Sequence, residues 1–358
     1  MAASIRPLTL EQRREWTDLM QVESAYRDAR ERARGYQGGM YWKPVKGHEY
    51  LIRTLDSRGK QKSLGPRNPE NEARYHAFHQ GRTSALANLK GLEETLRYRA
   101  RVARSHDLGR VPRLIAGVLR RLEQHPALHD RLRIVGTHAL YAYEAAAGVQ
   151  FETDVMATRD VDWLWDNRLV LGASDIPEGG FLALLKEVDA SFERVESHPF
   201  SAVNRQGFHV DLIAPIPSPP HRPGIQRSLS PETGDLRVAD IPGLEWIIAS
   251  PRFETRAVDE HGYPVSIPTL DPRVFAIHKQ WVASQKDRDP VKQERDLRQA
   301  VLVRQVVEAY LPAYPFRPDE PALSGLPETL RSQMEAIPSF EEGPCDPEED
   351  DFPFSPLP

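Results

Sequence analysis

Cysteine is almost missing: of 358 residues only Cys345 carries a thiol, which excludes an internal disulfide and a cysteine-built zinc site. Any metal must be held by oxygen or histidine, and the 12 histidines show no ligand-cluster spacing. Long apolar runs are missing too. No stretch approaches the roughly 18 residues of a membrane span, and the N-terminus has no apolar signal core, so a cytoplasmic protein with no membrane contact is expected. Bases are absent from residues 338–358, where seven acids gather among prolines. That composition predicts a disordered acidic tail and leaves the remainder mildly basic despite a net charge of −5. What is left is long enough to bury a full core.

The informative stretch is 131–164. It reads as a short apolar strand (Leu132, Ile134, Val135), a Gly136-Thr137 turn, an alanine-rich helix ending near Gly148, and a strand carrying Asp160-Val161-Asp162-Trp163-Leu164. Side chains alternate along a strand, so Asp160 and Asp162 share one face while Val161 and Trp163 take the other. Two like charges that close raise each other's pKa unless a cation lies between them. A divalent metal with a preference for hard oxygen ligands, Mg²⁺ or Mn²⁺, answers that need. The Gly136-Thr137 helix start offers free N–H groups and a positive helix end, which suit a phosphate. A third carboxylate, Asp211, lies on the apolar strand 207–213.

A Gly-Thr helix start, an Asp-x-Asp strand and a third acidic strand, in that order, resemble the polymerase-β-like nucleotidyltransferase superfamily. GTHAL followed by TRDVD is similar to the AbiEii-type toxins and related bacterial nucleotidyltransferases; the gap from Thr137 to Asp160 exceeds that of compact members. The resemblance implies an α+β fold with a mixed-sheet nucleotidyltransferase core. It implies that Asp160, Asp162 and Asp211 bind Mg²⁺ or Mn²⁺ and that Gly136 and Thr137 receive the phosphates of an NTP substrate.

Around that core the chain divides into an N-terminal part (1–105), the core (106–270), a helical part (271–337) and the tail (338–358). Thr9 and Gln12 form a capping-box pattern ahead of a sparsely apolar helix that needs a partner. Residues 38–67 switch to a period near two and predict a meander of two or three strands. Tyr41, Trp42 and Tyr50 alternate there with Lys43, Lys46 and Arg53, a pattern fit either for a solvated face or for gripping nucleic acid. Asn68-Pro69 opens a helix expected to reach about Ser105. Arg97, Arg99, Arg101 and Arg104 head an arginine-rich strip that reads equally as solvated surface or as a track for an RNA acceptor. A strand or hairpin is expected at 192–196. Pro215 to Pro223 is a loop, and short strands are expected at 236–238, 246–249 and 265–267.

Asp271-Pro272 and Asp289-Pro290 open two further helices, the second carrying Lys292, Arg295, Asp296 and Gln299 on one face. The AbiEii-type resemblance implies that Lys279 and Arg295 hold the nucleotide and that Lys279 and Asp296 belong to the catalytic set. From the residues alone, Lys279 and Asp296 make an interhelical salt bridge. The expected function is Mg²⁺-dependent transfer of NMP from an NTP to a hydroxyl acceptor, with RNA favoured and an antitoxin protein as a further partner. The alternatives are a non-catalytic nucleotide- or nucleic-acid-binding protein and a partner-binding component of a toxin–antitoxin system.

Overall fold

A computed structural model describes residues 5–55, 60–168, 176–216 and 229–339. The acidic tail beyond residue 339, most of the Pro215 to Pro223 loop, and Cys345 lie outside the described residues. The fold is α+β.

β1 (Ile5–Pro7) leads into α1 (Leu10–Arg34), whose start has the capping box expected of Thr9 and Gln12. The meander is three-stranded: β2 (Met40–Val45), β3 (His48–Thr54) and β4 (Gln61–Pro66). α2 (Pro69–Ser105), capped by Asn68, runs back along α1 and supplies the partner its sparse apolar face requires. One face of the meander sits on α2, where Trp42 meets Tyr75 and the Arg53 guanidinium lies 4.5 Å above the Phe78 ring. That leaves Tyr41, Lys43 and Val45 exposed on the other face.

The core begins with α3 (Arg113–Leu122), α4 (Pro126–His129) and β5 (Leu132–Val135), which is buried throughout. A 3₁₀ turn (Thr137–Ala139) runs directly into α5 (Leu140–Ala147), which ends at the left-handed Gly148. β6 (Val149–Phe151), α6 (Thr153–Met156) and β7 (Asp160–Trp165) follow. Next come α7 (Gly180–Val188), the hairpin β8 (Glu193–Val195) and β9 (His198–Val203), and β10 (His209–Pro215). The chain then forms β11 (Ala239–Ile241), α8 (Glu245–Ala249), β12 (Arg252–Val258) and β13 (Pro264–Leu270). α9 (Pro272–Ala283), α10 (Pro290–Tyr310) and α11 (Glu328–Ala336) close the fold.

The main sheet has eight strands in the order β12-β13-β5-β7-β10-β9-β8, with β11 beside β10. β5 is antiparallel to β7, while β7 and β10 are parallel, so the sheet is mixed. Trp163, Trp165, Phe181 and Phe275 are fully buried in the main core. β1 pairs with β6, which fastens the N-terminal segment to the core.

Two expected strands are corrected. Residues 246–249 belong to helix α8: a run of four apolar residues has no period long enough to separate helix from strand, and a helical turn buries Trp246, Ile247 and Ile248 together. The strand expected at 236–238 begins instead at Ala239, where β11 finds a partner in β10. β12 had no expectation at all, because its outward positions carry Arg252, Glu254 and Arg256 and conceal the alternation. Among the described residues no helix is long and apolar enough to cross a membrane.

Candidate active site

The register of the central strands assembles the site. Asp162 pairs with Asp211 across β7 and β10, and with Val135 across β7 and β5. Directly opposed residues point to the same face, so Asp162 and Asp211 stand side by side, with Asp160 two residues along on that face. Because Val135 is the last residue of β5, Gly136 arrives next to Asp162. Its φ of 84° is a conformation L side chains rarely adopt, and a Cβ there would stand 3.0 Å from Asp162 Oδ2. Only glycine brings the backbone this close to the carboxylate. The turn that follows is braced from below, where Gln299 Nε2 donates to Thr137 Oγ1 at 3.1 Å and to the Val155 carbonyl at 2.9 Å.

The carboxylates strain against one another. Burial, with repulsion from Asp160 and Asp211 added, pushes the Asp162 carboxyl up to about 7, against the opposing pull of Lys279 and Arg288. Asp211 Oδ1 is buried with no hydrogen-bond partner. Asp160 accepts from Thr158 Oγ1. Acids with too little cationic compensation and an acceptor oxygen with no donor suit a hard divalent ion, and Asp160, Asp162 and Asp211 are the residues that would hold it. Among the described residues no trio of His, Cys, Asp or Glu side chains is converged closely enough to form a metal cage alone.

Facing this edge is a cationic pair gripped by one acid. Lys279 Nζ lies 2.7 Å from Asp296 Oδ1, and Arg288 Nε lies 2.8 Å from Asp296 Oδ2. Asp296 is fully buried and Lys279 nearly so. Burial lowers the Lys279 pKa, while Asp296 and Asp162 both favour its charge. Burial alone would raise Asp296; Lys279 and Arg288 outweigh it and hold the carboxyl below the usual range. The salt bridge expected between Lys279 and Asp296 is present, and the charges of Lys279 and Arg288 both act on Asp162.

Arg295 sits beside α6, its Nη1 3.4 Å from the Ala157 carbonyl and its buried Nε without a partner. Arg97, Arg99, Arg101 and Arg104 are on α2. There Arg99 bonds Glu15 and Asp18 from α1, and Arg97 bonds Glu93.

Sequence reasoning missed Arg288, His138 and Thr158. Arg288 lies between two helices beside Lys286, Asp287 and Asp289, where nothing in the pattern separates it from ordinary charged linker. His138 follows Thr137 in the quoted motif but carries no periodic signal. In the structure it is 3% exposed, burial pushes its pKa down to about 4 against the influence of Asp160, and its Nδ1 is buried and unpartnered. His138, Tyr141, Thr158 and Phe208 line a cavity of about 710 Å³, whose wall includes Thr158, the residue that bonds Asp160.

The sequence model of a family described as Nucleotidyltransferase matches residues 113–320, from the first residue of α3 past the end of α10. The protein belongs to that nucleotidyltransferase family. The matched span contains every element contributing to the carboxylates, the Gly136 turn and the Lys279–Asp296–Arg288 cluster. No curated protein and no solved structure matches the chain.

Proposed function

We propose that this site transfers NMP from an NTP to a hydroxyl acceptor with the help of Mg²⁺, in an arrangement of the polymerase-β-like, AbiEii type. The observation that carries the reading is Asp162 held between Asp211 and the Gly136 turn, with Lys279 and Arg288 opposite. Asp160, Asp162 and Asp211 would hold the divalent ion, which when bound neutralises triphosphate charge and polarises the α-phosphate.

The chain's own groups do the rest. The Gly136 and Thr137 N–H groups and the helix end behind them receive phosphate oxygens. Lys279 and Arg288, positioned by Asp296, take the outer phosphates and the charge that develops on the leaving pyrophosphate. Asp296 thus belongs to the catalytic set by placing these two cations, and Arg295 adds positive potential beside Lys279. The acceptor oxygen forms a bond to the α-phosphorus, the bond to pyrophosphate breaks in line, and the hydroxyl proton passes to the Asp211 carboxylate.

The test is transfer of label from each α-labelled NTP with Mg²⁺, comparing wild type with Asp160→Ala/Asp162→Ala. Label and pyrophosphate from wild type alone support transfer. Nucleotide binding with neither product would replace this reading by a non-catalytic binding protein.

A further inference from the structure

The helix pair α1–α2 meets the core around a second cavity, of about 310 Å³. On α1, Glu23, Tyr26, Arg27 and Arg30 fall at i, i+3, i+4 and i+7 and share one helix face toward it. On α2, Glu93, Leu96 and Arg97 do the same at i, i+3 and i+4. The opposite wall comes from α3, β12 and β13. The family match begins at residue 113, so the α1 and α2 walls lie outside the matched span. None of the carboxylates or cations of the candidate active site lines this cavity.

Its charges are graded with depth. At the rim Arg27, Arg30 and Arg97 are exposed against one acid, Glu93. Deeper in, Arg256 lies 3.0 Å from Glu123 and 3.5 Å from Glu23, and Arg120 lies 2.7 Å from Asp259 behind it. The rim is therefore positive, the floor slightly negative, and the whole retains a positive surplus. Arg27 reaches Glu23 through Nε at 3.0 Å and Arg97 reaches Glu93 through Nη2 at 3.2 Å. The Arg30 guanidinium makes no ion pair or hydrogen bond with any described residue. A guanidinium carries five N–H donors, so the rim holds donors in excess of the acids that meet them.

We propose that this junction is a ligand site separate from the catalytic centre, and that it takes a phosphate monoester on a ring bearing hydroxyl or amino donors. That chemistry is shared by nucleoside monophosphates and sugar phosphates. The phosphate belongs at the rim, where the planar forks of Arg27, Arg30 and Arg97 match its oxygens. The ring belongs below, between Tyr26, Tyr263 and Leu96. There Glu23 and Glu123 take their arginine partners on Oε1, which leaves Oε2 of each to accept the ring's O–H or N–H groups. A bare anion would forgo those contacts. The volume sits at the small end of the usual range for small-molecule sites. A ligand held here touches α1, α2 and the core together, so its binding fastens the N-terminal helices to the nucleotidyltransferase unit.

The experiment is calorimetric titration of the full chain with AMP, CMP, GMP, UMP, ribose 5-phosphate and inorganic phosphate. The chain carries Asp160→Ala/Asp162→Ala and a chelator replaces Mg²⁺, which suppresses metal-dependent binding at the catalytic centre. At least one ester is expected to bind about tenfold more tightly than inorganic phosphate. Arg30→Glu and Arg97→Glu, at exposed helix positions, are each expected to weaken that ester about tenfold, and Arg13→Glu, exposed on α1 outside the cavity, to change it less than about twofold. Nucleotides binding more tightly than ribose 5-phosphate would name a nucleotide as the source, and the reverse a sugar phosphate; either result supports the site. No ester binding at millimolar concentration overturns it. So does an ester held no more tightly than inorganic phosphate, or an affinity indifferent to both arginine substitutions. None of these outcomes bears on label transfer, so the site and the transfer reading fail independently.

Discussion

Asp296→Asn isolates the part played by the cationic pair. In the folded protein Asp296 divides its two oxygens between Lys279 at 2.7 Å and Arg288 at 2.8 Å, and Lys279 is only 6% exposed. The substitution keeps the shape and removes the charge, leaving Lys279 in the interior without its hydrogen-bonded counter-ion and with only the Asp162 charge to favour it. Loss of one partner from a buried pair costs about 3–5 kcal/mol, mostly as the penalty of the stranded charge. Lys279→Met should cost less, about 1–3 kcal/mol, because Asp296 keeps Arg288 and methionine fills the same tunnel. Urea unfolding of both variants gives the two numbers. If the two cations are held for a triphosphate, bound nucleotide supplies the missing negative charge. Saturating Mg²⁺–NTP should then stabilise Asp296→Asn by more than it stabilises wild type, and should do little for Lys279→Met. An Asp296→Asn cost under about 1 kcal/mol would refute the burial argument. Wild-type nucleotide affinity in a folded Lys279→Met would refute the phosphate role and leave Lys279 as a brace between α9 and α10.

Three further outcomes follow from the same geometry. With a chelator present, Asp162→Asn should be inactive yet more stable than wild type above pH 7: the folded carboxyl is pushed up to about 7 from an ordinary value of 3.8. Between those values the folded state holds a proton the unfolded state has lost. Wild-type stability therefore declines as pH rises through this window, by a few kcal/mol in total, and the variant's advantage should vanish near pH 4. Comparing urea midpoints across pH checks this, and a constant difference would contradict it. Gly136→Ala should cost about 1–3 kcal/mol in stability and suppress transfer more than a hundredfold, since its methyl would meet Asp162; a crystal structure with an unshifted Asp162 would disprove the cause. Arg110→Ala should lose about 3–5 kcal/mol by thermal unfolding, because the buried Glu144 would forfeit its bond to Arg110 Nη2 at 2.9 Å. A loss under about 1 kcal/mol would show that Glu144 relaxes to solvent.

The carboxylate strands were legible because a period of two combined with an Asp-x-Asp spacing admits few other readings. Helices α9 and α10 announced themselves through Asp-Pro caps, and both caps are present, with Asp271 and Asp289 accepting backbone N–H groups. The pairing of Asp162 with Asp211 was not legible: register depends on which strands meet, and no local signal says that β10 lies parallel to β7. Arg288 was invisible for a related reason. Its importance comes from reaching eight positions ahead to Asp296, and a linker has no periodicity to reveal that. The polar stripe on α10 was visible as a pattern, but its meaning divides by depth. Lys292 is exposed, whereas Asp296 and Gln299 descend into the core.

The hydrogen bond from Gln299 to Thr137 spans 162 positions of sequence. During synthesis the glycine turn and the Asp-x-Asp strand leave the ribosome long before α10 exists. Until Gln299, Asp296 and Lys279 have emerged, the Gly136–Thr137 turn has no floor and Asp162 lacks the charge of Lys279. A nascent chain that lacks α10 therefore holds its Asp-x-Asp strand without the contacts that fix the Gly136–Thr137 turn, and the two halves of the site are joined only when this helix docks.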